Sequence, residues 1–183
     1  FKISLDQPST TPIYANYTWE GQLKKKQYIT KASDLDVKVE YYNEKGQSFS
    51  PLETKQNTSF YAVYTVFNHT EHTINDIALQ QILPSGWEIE NLRLNDSALP
   101  SWTKSLSLGQ QDYLDIRDDR ITWFFNIPST KLRYNKLRNQ FIVKLNAITA
   151  GNYYLPGPTI EAMYNDSYLS IKAPSSVRVK KAH

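Results

Sequence analysis

One short segment of the chain combines acidic and basic side chains that could do chemistry. Several carboxylates in a flexible loop could bind a hard cation such as Ca²⁺. The spacing lacks the EF-hand pattern and its glycine, however, and interleaved arginines would neutralise such a site. We therefore interpret the segment as a structural motif or a partner contact, and we expect no metal. Its charged members are Asp112, Asp115, Arg117, Asp118, Asp119 and Arg120.

The histidines offer little support for a catalytic or metal centre. His69 and His72 flank a Thr-Glu pair in a polar segment, and His183 is the last residue of the sequence. Zinc proteases place two histidines on one helix. A helix is not expected directly after the β-like run that ends at Phe67-Asn68. A solvated loop is the favoured interpretation. We find no phosphate-binding loop, nucleophile elbow or Ser-His-Asp arrangement, and we expect no catalytic residues, no cofactor and no enzyme.

Composition narrows the classes of protein further. The 183 residues include no cysteine, which excludes disulfides and thiolate chemistry, and they include thirteen tyrosines and four tryptophans. The net charge of +3 is modest, and basic residues form tight runs only at Lys24–Lys26 and Lys180-Lys181. We therefore expect no nucleic-acid partner. No apolar stretch approaches the roughly 20 residues of a membrane span. The chain has no starting methionine, so we expect a segment of a larger protein, whose export signal would lie upstream.

Hydrophobic periodicity predicts strands rather than helices. Residues 60–67 are apolar on both faces, which is typical of a central strand. Residues 121–126 and 141–147 alternate between the two faces, so that one face of each strand is apolar and predicted to be buried. Further strands are predicted at residues 13–20, 35–42, 77–83, 87–92, 159–164 and 176–180. Residues 95–112 contain room for a single helical turn, and residues 131–139 are predicted to be a loop. The pattern indicates an all-β antiparallel sandwich with little or no helix.

The predicted strand at 159–164 has two candidate functional residues. Alternation would place Glu161 on one face with Thr159 and Met163, and Tyr164 on the opposite face with Ile160. A carboxylate in this position usually forms an ion pair or a hydrogen-bonded corner. Tyr164 would then cap the core, with its hydroxyl bonded to a backbone group.

Three segments in the C-terminal half resemble a known family. In residues 113–125 an acidic turn leads into an aromatic strand, and in residues 141–158 a strand reaches a Thr-Ala-Gly turn and then a Leu-Pro step. Residues 161–164 read Glu-Ala-Met-Tyr, and residues 84–88 read Pro-Ser-Gly-Trp-Glu. Their order and spacing resemble the C-terminal macroglobulin-like domain, MG10, of bacterial alpha-2-macroglobulins, the large extracytoplasmic protease traps. The resemblance covers roughly residues 35–180.

The resemblance implies a function that the residues alone do not. In that family a protease cuts a bait region, the molecule collapses, and a thioester in a helical domain captures the attacker. This chain has no Cys-Leu-Glu-Gln motif, helical domain or bait segment. It would therefore be a non-catalytic module that docks against thioester-like and CUB-like sibling domains and holds the resting or trapping conformation. Target proteases would be met only through the full-length protein, in the periplasm or at the cell surface, where the parent could carry a lipid anchor.

The resemblance also implies domain limits and interface residues. Residues 1–33 would be the terminal strands of a preceding CUB-like domain or a linker, and residues 34–183 would form the MG10-like sandwich. The Glu-Ala-Met-Tyr region would lie at the surface facing the thioester domain. The candidate interface or structural residues are Asp115, Arg117, Asp118, Asp119, Arg120, Glu161, Met163 and Tyr164.

Two other classes remain open. An Ig-like adhesion or carbohydrate-binding module would stack exposed Trp19, Trp87 or Trp102 on sugar rings, and a β-sandwich hydrolase would need two converging carboxylates in a cleft. Glycosylation sequons could suggest a secreted glycoprotein, although without sugars they would mean only exposed turns. The sequons begin at Asn16, Asn57, Asn68, Asn95 and Asn165.

Overall fold

The structure is a computed structural model that describes residues 30–90, 99–130 and 139–182, together with positions 14, 16 and 18. The described residues form twelve strands and one 3-10 turn. The strands are β1 (Leu35–Asn43), β2 (Glu53–Lys55), β3 (Thr58–Asn68), β4 (Ile74–Ile82), β5 (Trp87–Glu90), β6 (Tyr113–Ile116), β7 (Arg120–Ile127), β8 (Gln140–Ala147), β9 (Gly151–Leu155), β10 (Thr159–Ala162), β11 (Asn165–Ile171) and β12 (Ser175–Lys180), with the 3-10 turn at Ser101–Ser105. The all-β prediction and the single helical turn within residues 95–112 are confirmed.

The strands form three sheets. A four-stranded sheet has the order β1-β3-β8-β5, and a five-stranded sheet has the order β11-β10-β4-β7-β6. All neighbours within these two sheets are antiparallel. A third, three-stranded sheet has the order β2-β12-β9, in which β12 runs parallel to β2 and antiparallel to β9. As predicted, β3 is a central strand.

The core lies between the four-stranded and five-stranded sheets. Strand β8 shows most clearly how the core is built from alternating residues. Its residues Phe141, Val143, Leu145 and Ala147 are buried, while the alternate residues are only partly covered. Across the core, the ring of Phe141 lies 4.4 Å from that of Phe125 on β7. Each large apolar side chain buried in this way stabilises the fold by about 1.5–3 kcal/mol. The alternation read from the sequence therefore fixes which faces of these strands become the interior.

The 3-10 turn covers part of the outer face of the four-stranded sheet. Its Trp102 ring lies 5.3 Å from the ring of Tyr42 and 5.5 Å from that of Tyr61. Gly46, with a φ of 79°, lies against Trp102, and a Cβ there would be 2.6 Å from the indole. This covering explains why Tyr61, which points away from the core, is only 4% exposed.

The periodicity of the sequence did not predict several of the strands. Strands β2, β6 and β9 are short, and β11 begins with the polar residues Asn165, Asp166 and Ser167. They are edge or third-sheet strands that need no continuous apolar face. The predicted strand at 159–164 is wrong at its end, because β10 stops at Ala162.

Other predictions fall on parts of the chain outside the described residues. They are nearly all of the predicted strand at 13–20, residues 91–92 of the fifth strand, and most of the loop predicted at 131–139. Within the described ranges, no helix combines the length and apolar content that crossing a membrane requires.

Candidate functional site

The candidate site is the outer face of the five-stranded sheet, where four strands place side chains in two parallel rows. The register aligns Tyr113, Phe124, Ala78 and Glu161 in the first row. The second row, one step along the strands, contains Asp115, Thr122, Gln80 and Thr159. We call these eight residues, together with Ile82 and Arg120 from the next paired position, the outer face. Along each strand these residues alternate with the buried core positions, and together they therefore form one continuous surface.

Exposed apolar side chains are concentrated on this surface and its rim. Ile82 and Tyr113 are 39% and 62% exposed, and Met163 and Tyr164, in the turn after β10, are 44% and 85% exposed. These are four of the seven large hydrophobic residues that the described chain exposes. The Tyr113 ring lies 5.8 Å from the half-buried ring of Phe124. A surface that exposes grouped aromatic and aliphatic side chains is typical of a protein contact.

The structure brings together five of the eight predicted site residues. Asp115, Arg117, Arg120, Glu161 and Met163 all line one shallow groove across the outer face. They come from two segments that are far apart in sequence, the β6–β7 hairpin and the end of β10 with the turn after it, and only the pairing of β6, β7, β4 and β10 makes them neighbours. The family resemblance named these residues together. Their position in one groove follows from the pairing register of the strands.

Ion pairs leave one carboxylate of the groove without a partner. Arg117 Nε donates to Asp115 Oδ2 at 2.9 Å, and this hydrogen bond raises the pKa of the Arg117 guanidinium. Arg120 Nε lies 3.4 Å from Asp119 Oδ1. Glu161 forms no ion pair with any residue in the described part of the chain. The prediction of an ion pair for Glu161 was therefore wrong, because the arginines pair with nearer aspartates.

Asp118 and Asp119 lie at the tip of the β6–β7 hairpin, outside the groove. The Arg117 N–H donates to the Arg120 carbonyl at 2.9 Å, which closes the turn around the two aspartates. The Leu83 N–H donates to the Asp119 carbonyl at 2.8 Å, so the turn is also tied to the end of β4. Within the described ranges, no group of three His, Asp or Glu side chains converges as metal ligands would.

Met163 and Tyr164 form the turn between β10 and β11. Ala162 pairs directly with Asn165, so the two residues between them cannot continue the alternation of β10. Tyr164 is 85% exposed, so the prediction that it caps the core was wrong. The turn-forming residues Asn165 and Asp166 were the sequence signal for this turn.

A small hydrogen-bond network fixes the position of that turn. The Met163 N–H donates to the Asp76 carbonyl at 2.9 Å. Asp76 lies at a bulge of β4 and has a φ of 54°, and its own N–H donates to Asn126 Oδ1 at 2.9 Å. Asn126 Nδ2 donates to Asp112 Oδ2 at 3.0 Å. The exposed Tyr164 is therefore carried by an anchored backbone, and sequence reasoning missed Asp76 and Asn126, which hold it.

The tryptophans do not form a sugar-stacking platform in the described chain. Trp87 is 2% exposed, and its ring packs 4.9 Å from that of Phe60 in the core. Trp102 lies against two tyrosines, and its Nε1 donates to the Glu44 carbonyl at 3.2 Å. Trp19 lies outside the described residues. Of the tryptophans that the carbohydrate-binding alternative would use, Trp87 is therefore buried and Trp102 packs against side chains of the domain itself.

The histidine segment forms a bend after β3, as the loop prediction required. His72 Nε2 lies 3.1 Å from the Tyr168 hydroxyl. The neighbouring Asn68 is fully buried, and its Nδ2 donates to the carbonyls of His72 and Ile127 at 2.7 and 3.1 Å. The prediction that every sequon marks an exposed turn was therefore wrong at Asn68.

Comparison with known proteins identifies the family. The protein family described as "Bacterial Alpha-2-macroglobulin MG10 domain" matches residues 35–166 of this chain. An alpha-2-macroglobulin of Rickettsia conorii is 24% identical over 149 residues, which are 80% of this chain and 7% of that protein. A crystal structure of a Salmonella alpha-2-macroglobulin mutant has a TM-score of 0.71 at 20% identity, over 85% of this chain and 10% of the other.

A second solved structure agrees in fold. Native alpha-2-macroglobulin from Escherichia coli, spanning domain MG7 to the C-terminus, has a TM-score of 0.70 at 18% identity and covers 85% of this chain and 25% of the other. This chain thus spans between 7% and 10% of the Rickettsia and Salmonella proteins. Because the family description fits most of the chain, the chain belongs to the bacterial alpha-2-macroglobulin MG10 domain family, which confirms the resemblance found in its sequence.

Proposed function

We propose that this chain is a non-catalytic module of a bacterial alpha-2-macroglobulin-like protease inhibitor and that it docks against sibling domains through the outer face and the Met163–Tyr164 turn. The observation that carries the proposal is the combination of exposure and anchoring at that turn. Tyr164 is 85% exposed, yet the backbone beside it is hydrogen-bonded to Asp76. An aromatic side chain held out from a fixed backbone loses little conformational entropy when a partner covers it.

The groove beside the turn supports the same proposal. Its lining combines the apolar side chains of Phe124 and Met163, which offer contact area, with the charged side chains of Asp115, Arg117 and Arg120. Interfaces between proteins commonly combine apolar contact area with polar groups in this way. Glu161 is the carboxylate that a basic side chain of a sibling domain would pair with.

The remaining parts of the proposal concern the whole protein. The siblings would be thioester-like and CUB-like domains, and residues 1–33 would belong to the latter or to a linker. Docking would hold the resting or trapping conformation of an extracytoplasmic inhibitor that acts on target proteases. The chain itself would contribute no catalytic step.

The test is made in the full-length parent with a double variant, Met163→Ala with Tyr164→Ala. The matched control is Leu52→Ala, which removes a side chain that is 51% exposed in the turn before β2, away from the outer face. Trapping is measured as protection of a large substrate from a captured protease, and conformation is measured as the size shift that follows cleavage. We expect the double variant to lose protection or to adopt the shifted size without cleavage, while the control behaves as the parent does.

Folding of the domain itself is checked in parallel. Truncation of exposed side chains should change the free energy of unfolding of the isolated chain by about 0.5 kcal/mol or less. A loss of trapping with an intact domain would then result from lost docking. Normal trapping and normal size in the double variant would refute the docking face.

A further inference from the structure

Hydrogen bonds join the two segments that carry exposed tyrosines at the outer face. Tyr113, the first residue of β6, is 62% exposed, and Tyr164, in the turn after β10, is 85% exposed. Three consecutive hydrogen bonds connect Met163, next to Tyr164, with Asp112, next to Tyr113. We call these three hydrogen bonds the relay. The two tyrosines are therefore linked through polar groups as well as through the sheet.

All three hydrogen bonds of the relay point in the same direction. The Met163 N–H donates to the Asp76 carbonyl, and the Asp76 N–H donates to Asn126 Oδ1, both at 2.9 Å. Asn126 Nδ2 then donates to Asp112 Oδ2 at 3.0 Å. Hydrogen bonds that are aligned in this way polarise one another, and an ionised carboxylate as the last acceptor strengthens them. The charge of Asp112 therefore contributes to holding the backbone of Met163.

The chemistry of Asn126 fits its place in the middle of the relay. Its side chain must accept a hydrogen bond at one end and donate one at the other, because a backbone N–H only donates and an ionised carboxylate only accepts. One planar amide group supplies both functions. An aspartate at this position would still accept from Asp76, but it would oppose Asp112 as a second carboxylate, and like charges so close repel.

Both ends of the relay are fixed by the backbone of the sheet. The Asp112 N–H donates to the Phe124 carbonyl at 2.8 Å, which places Asp112 beside β7. At the other end, Ala162 pairs with Asn165 across the turn that contains Met163. Asn126 lies on β7 and is exposed, so its amide can be altered without removing a core side chain or a main-chain group. The relay can therefore be broken while the sandwich stays folded.

We propose that Asn126 is a positioning residue for docking: its amide ties the Met163–Tyr164 turn to Asp112, so that Tyr113 and Tyr164 meet a sibling domain as a preset pair. The row from Tyr113 to Glu161 crosses four paired strands, which is about 14 Å. That width suits a partner with two separate apolar contacts rather than one pocket. Because the pair is arranged before binding, docking costs less conformational entropy.

This inference rests on the proposed function for its effect on docking, whereas the relay itself can be tested in the isolated chain. The sequence contains a single methionine, so an isotope label in methionine methyl groups gives one signal, from Met163. We expect Asn126→Asp to shift this signal and to make the Met163 amide exchange about tenfold faster. Asn152→Asp makes the same change at an exposed residue of β9, in the third sheet, and should behave as the wild type.

A swap of the two side chains tests whether they act as a pair. Adding Asp112→Asn to Asn126→Asp again gives one amide and one carboxylate, with their places exchanged. The carboxylate can then accept from both the Asp76 N–H and the new amide. We expect the swap to restore the wild-type signal and the slow exchange of Met163.

Three results in the isolated chain would overturn the proposal. The first is an unchanged Met163 signal and amide in Asn126→Asp, and the second is a swap that restores neither. The third is faster exchange that extends to Ala62 and Val143 in the paired interior of the four-stranded sheet, because the substitution would then loosen the whole fold.

The full-length parent shows whether positioning matters for docking. We expect Asn126→Asp to reduce protection of a large substrate or to cause the size shift without cleavage, and we expect the swap to restore both. If Asn126→Asp traps normally while Met163→Ala with Tyr164→Ala does not, the positioning role is overturned and the docking face stands. If both variants trap normally, the docking face is refuted, and with it the role of the relay in docking.

Discussion

The main-chain N–H of Met163 donates a 2.9 Å hydrogen bond to the carbonyl oxygen of Asp76, and this contact joins the Met163–Tyr164 turn beside the outer face to the β4 bulge. Asp76 lies within this bulge and has a φ of 54°. Left-handed backbone costs most residues about 1–2 kcal/mol, but Asp and Asn tolerate it better. The position of Tyr164 therefore depends on a residue almost ninety positions earlier in the chain.

Substitutions at Asp76 should separate backbone strain from side-chain effects. Asp76→Val should lower the free energy of unfolding by about 1–2 kcal/mol, because a β-branched residue is poorly accommodated at positive φ. Asp76→Gly should leave it unchanged or slightly higher, because glycine has no Cβ to clash. Urea denaturation of the two variants measures the difference. Equal losses in both would show that the Asp76 side chain, and not its backbone conformation, stabilises the bulge.

The buried Asn68 should be one of the most sensitive polar positions. Its Nδ2 donates to two carbonyls, and its Oδ1 accepts from the Thr70 N–H and hydroxyl at 2.9 and 2.6 Å. Asn68→Ala leaves buried groups without partners and should cost about 2–4 kcal/mol. Asn165→Ala, at another sequon but on the surface, should cost less than about 1 kcal/mol. Thermal unfolding of both variants provides the measurement, and similar melting temperatures would contradict the role assigned to Asn68.

Acid should weaken the pairing of Glu90 with Lys144. Lys144 Nζ lies 2.9 Å from Glu90 Oε2, and this hydrogen bond lowers the pKa of Glu90. Because the pKa of Glu90 is lower in the folded state than in the unfolded state, its contribution is present above the unfolded pKa and is lost as pH falls through the folded one. Glu90→Gln should therefore cost about 1 kcal/mol at pH 7 and progressively less below about pH 4.

The control for this prediction is Glu40→Gln, which breaks the more exposed pair of Lys38 with Glu40. Urea titrations of the wild type and both variants at pH 3 and pH 7 give the two differences. A cost for Glu90→Gln that is the same at both pH values would rule out a contribution from the charge of Glu90.

Base should destabilise the fold through Tyr41. Burial raises the pKa of Tyr41 to about 12, whereas an unfolded tyrosine titrates near about 10. A group whose folded pKa is raised contributes stability that is present below the unfolded pKa and lost as pH rises through the folded pKa. Between pH 10 and 12 the wild type should lose up to about 1.4 kcal/mol per pH unit through this residue.

Tyr41→Phe should remove that part of the pH dependence, and its free energy of unfolding should fall less steeply above pH 10. Tyr113→Phe, at a residue that is 62% exposed, serves as the control and should follow the wild type. Identical slopes for all three chains would show that Tyr41 does not titrate with unfolding.

Much of the fold followed from local pattern because core strands alternate with a period of two. Phe141, Val143, Leu145 and Ala147 specified both the strand and its buried face, and the structure shows the same four residues in the core. Strand β11 escaped prediction because it begins with three exposed polar residues and has no such pattern. Its place is set by pairing with β10, which sequence periodicity does not describe.

The candidate site divides in the same way. Alternation and turn chemistry are local properties, so the sandwich, the family resemblance and the residue types of the outer face could be read from the sequence alone. The tertiary structure was needed to show that Asp115, Arg120 and Glu161 share one groove, because that depends on the register of strands far apart in the chain. It was also needed to show that Tyr164 faces outward. Strand β10 ends where the Met163 N–H donates a hydrogen bond to the Asp76 carbonyl at the bulge of β4.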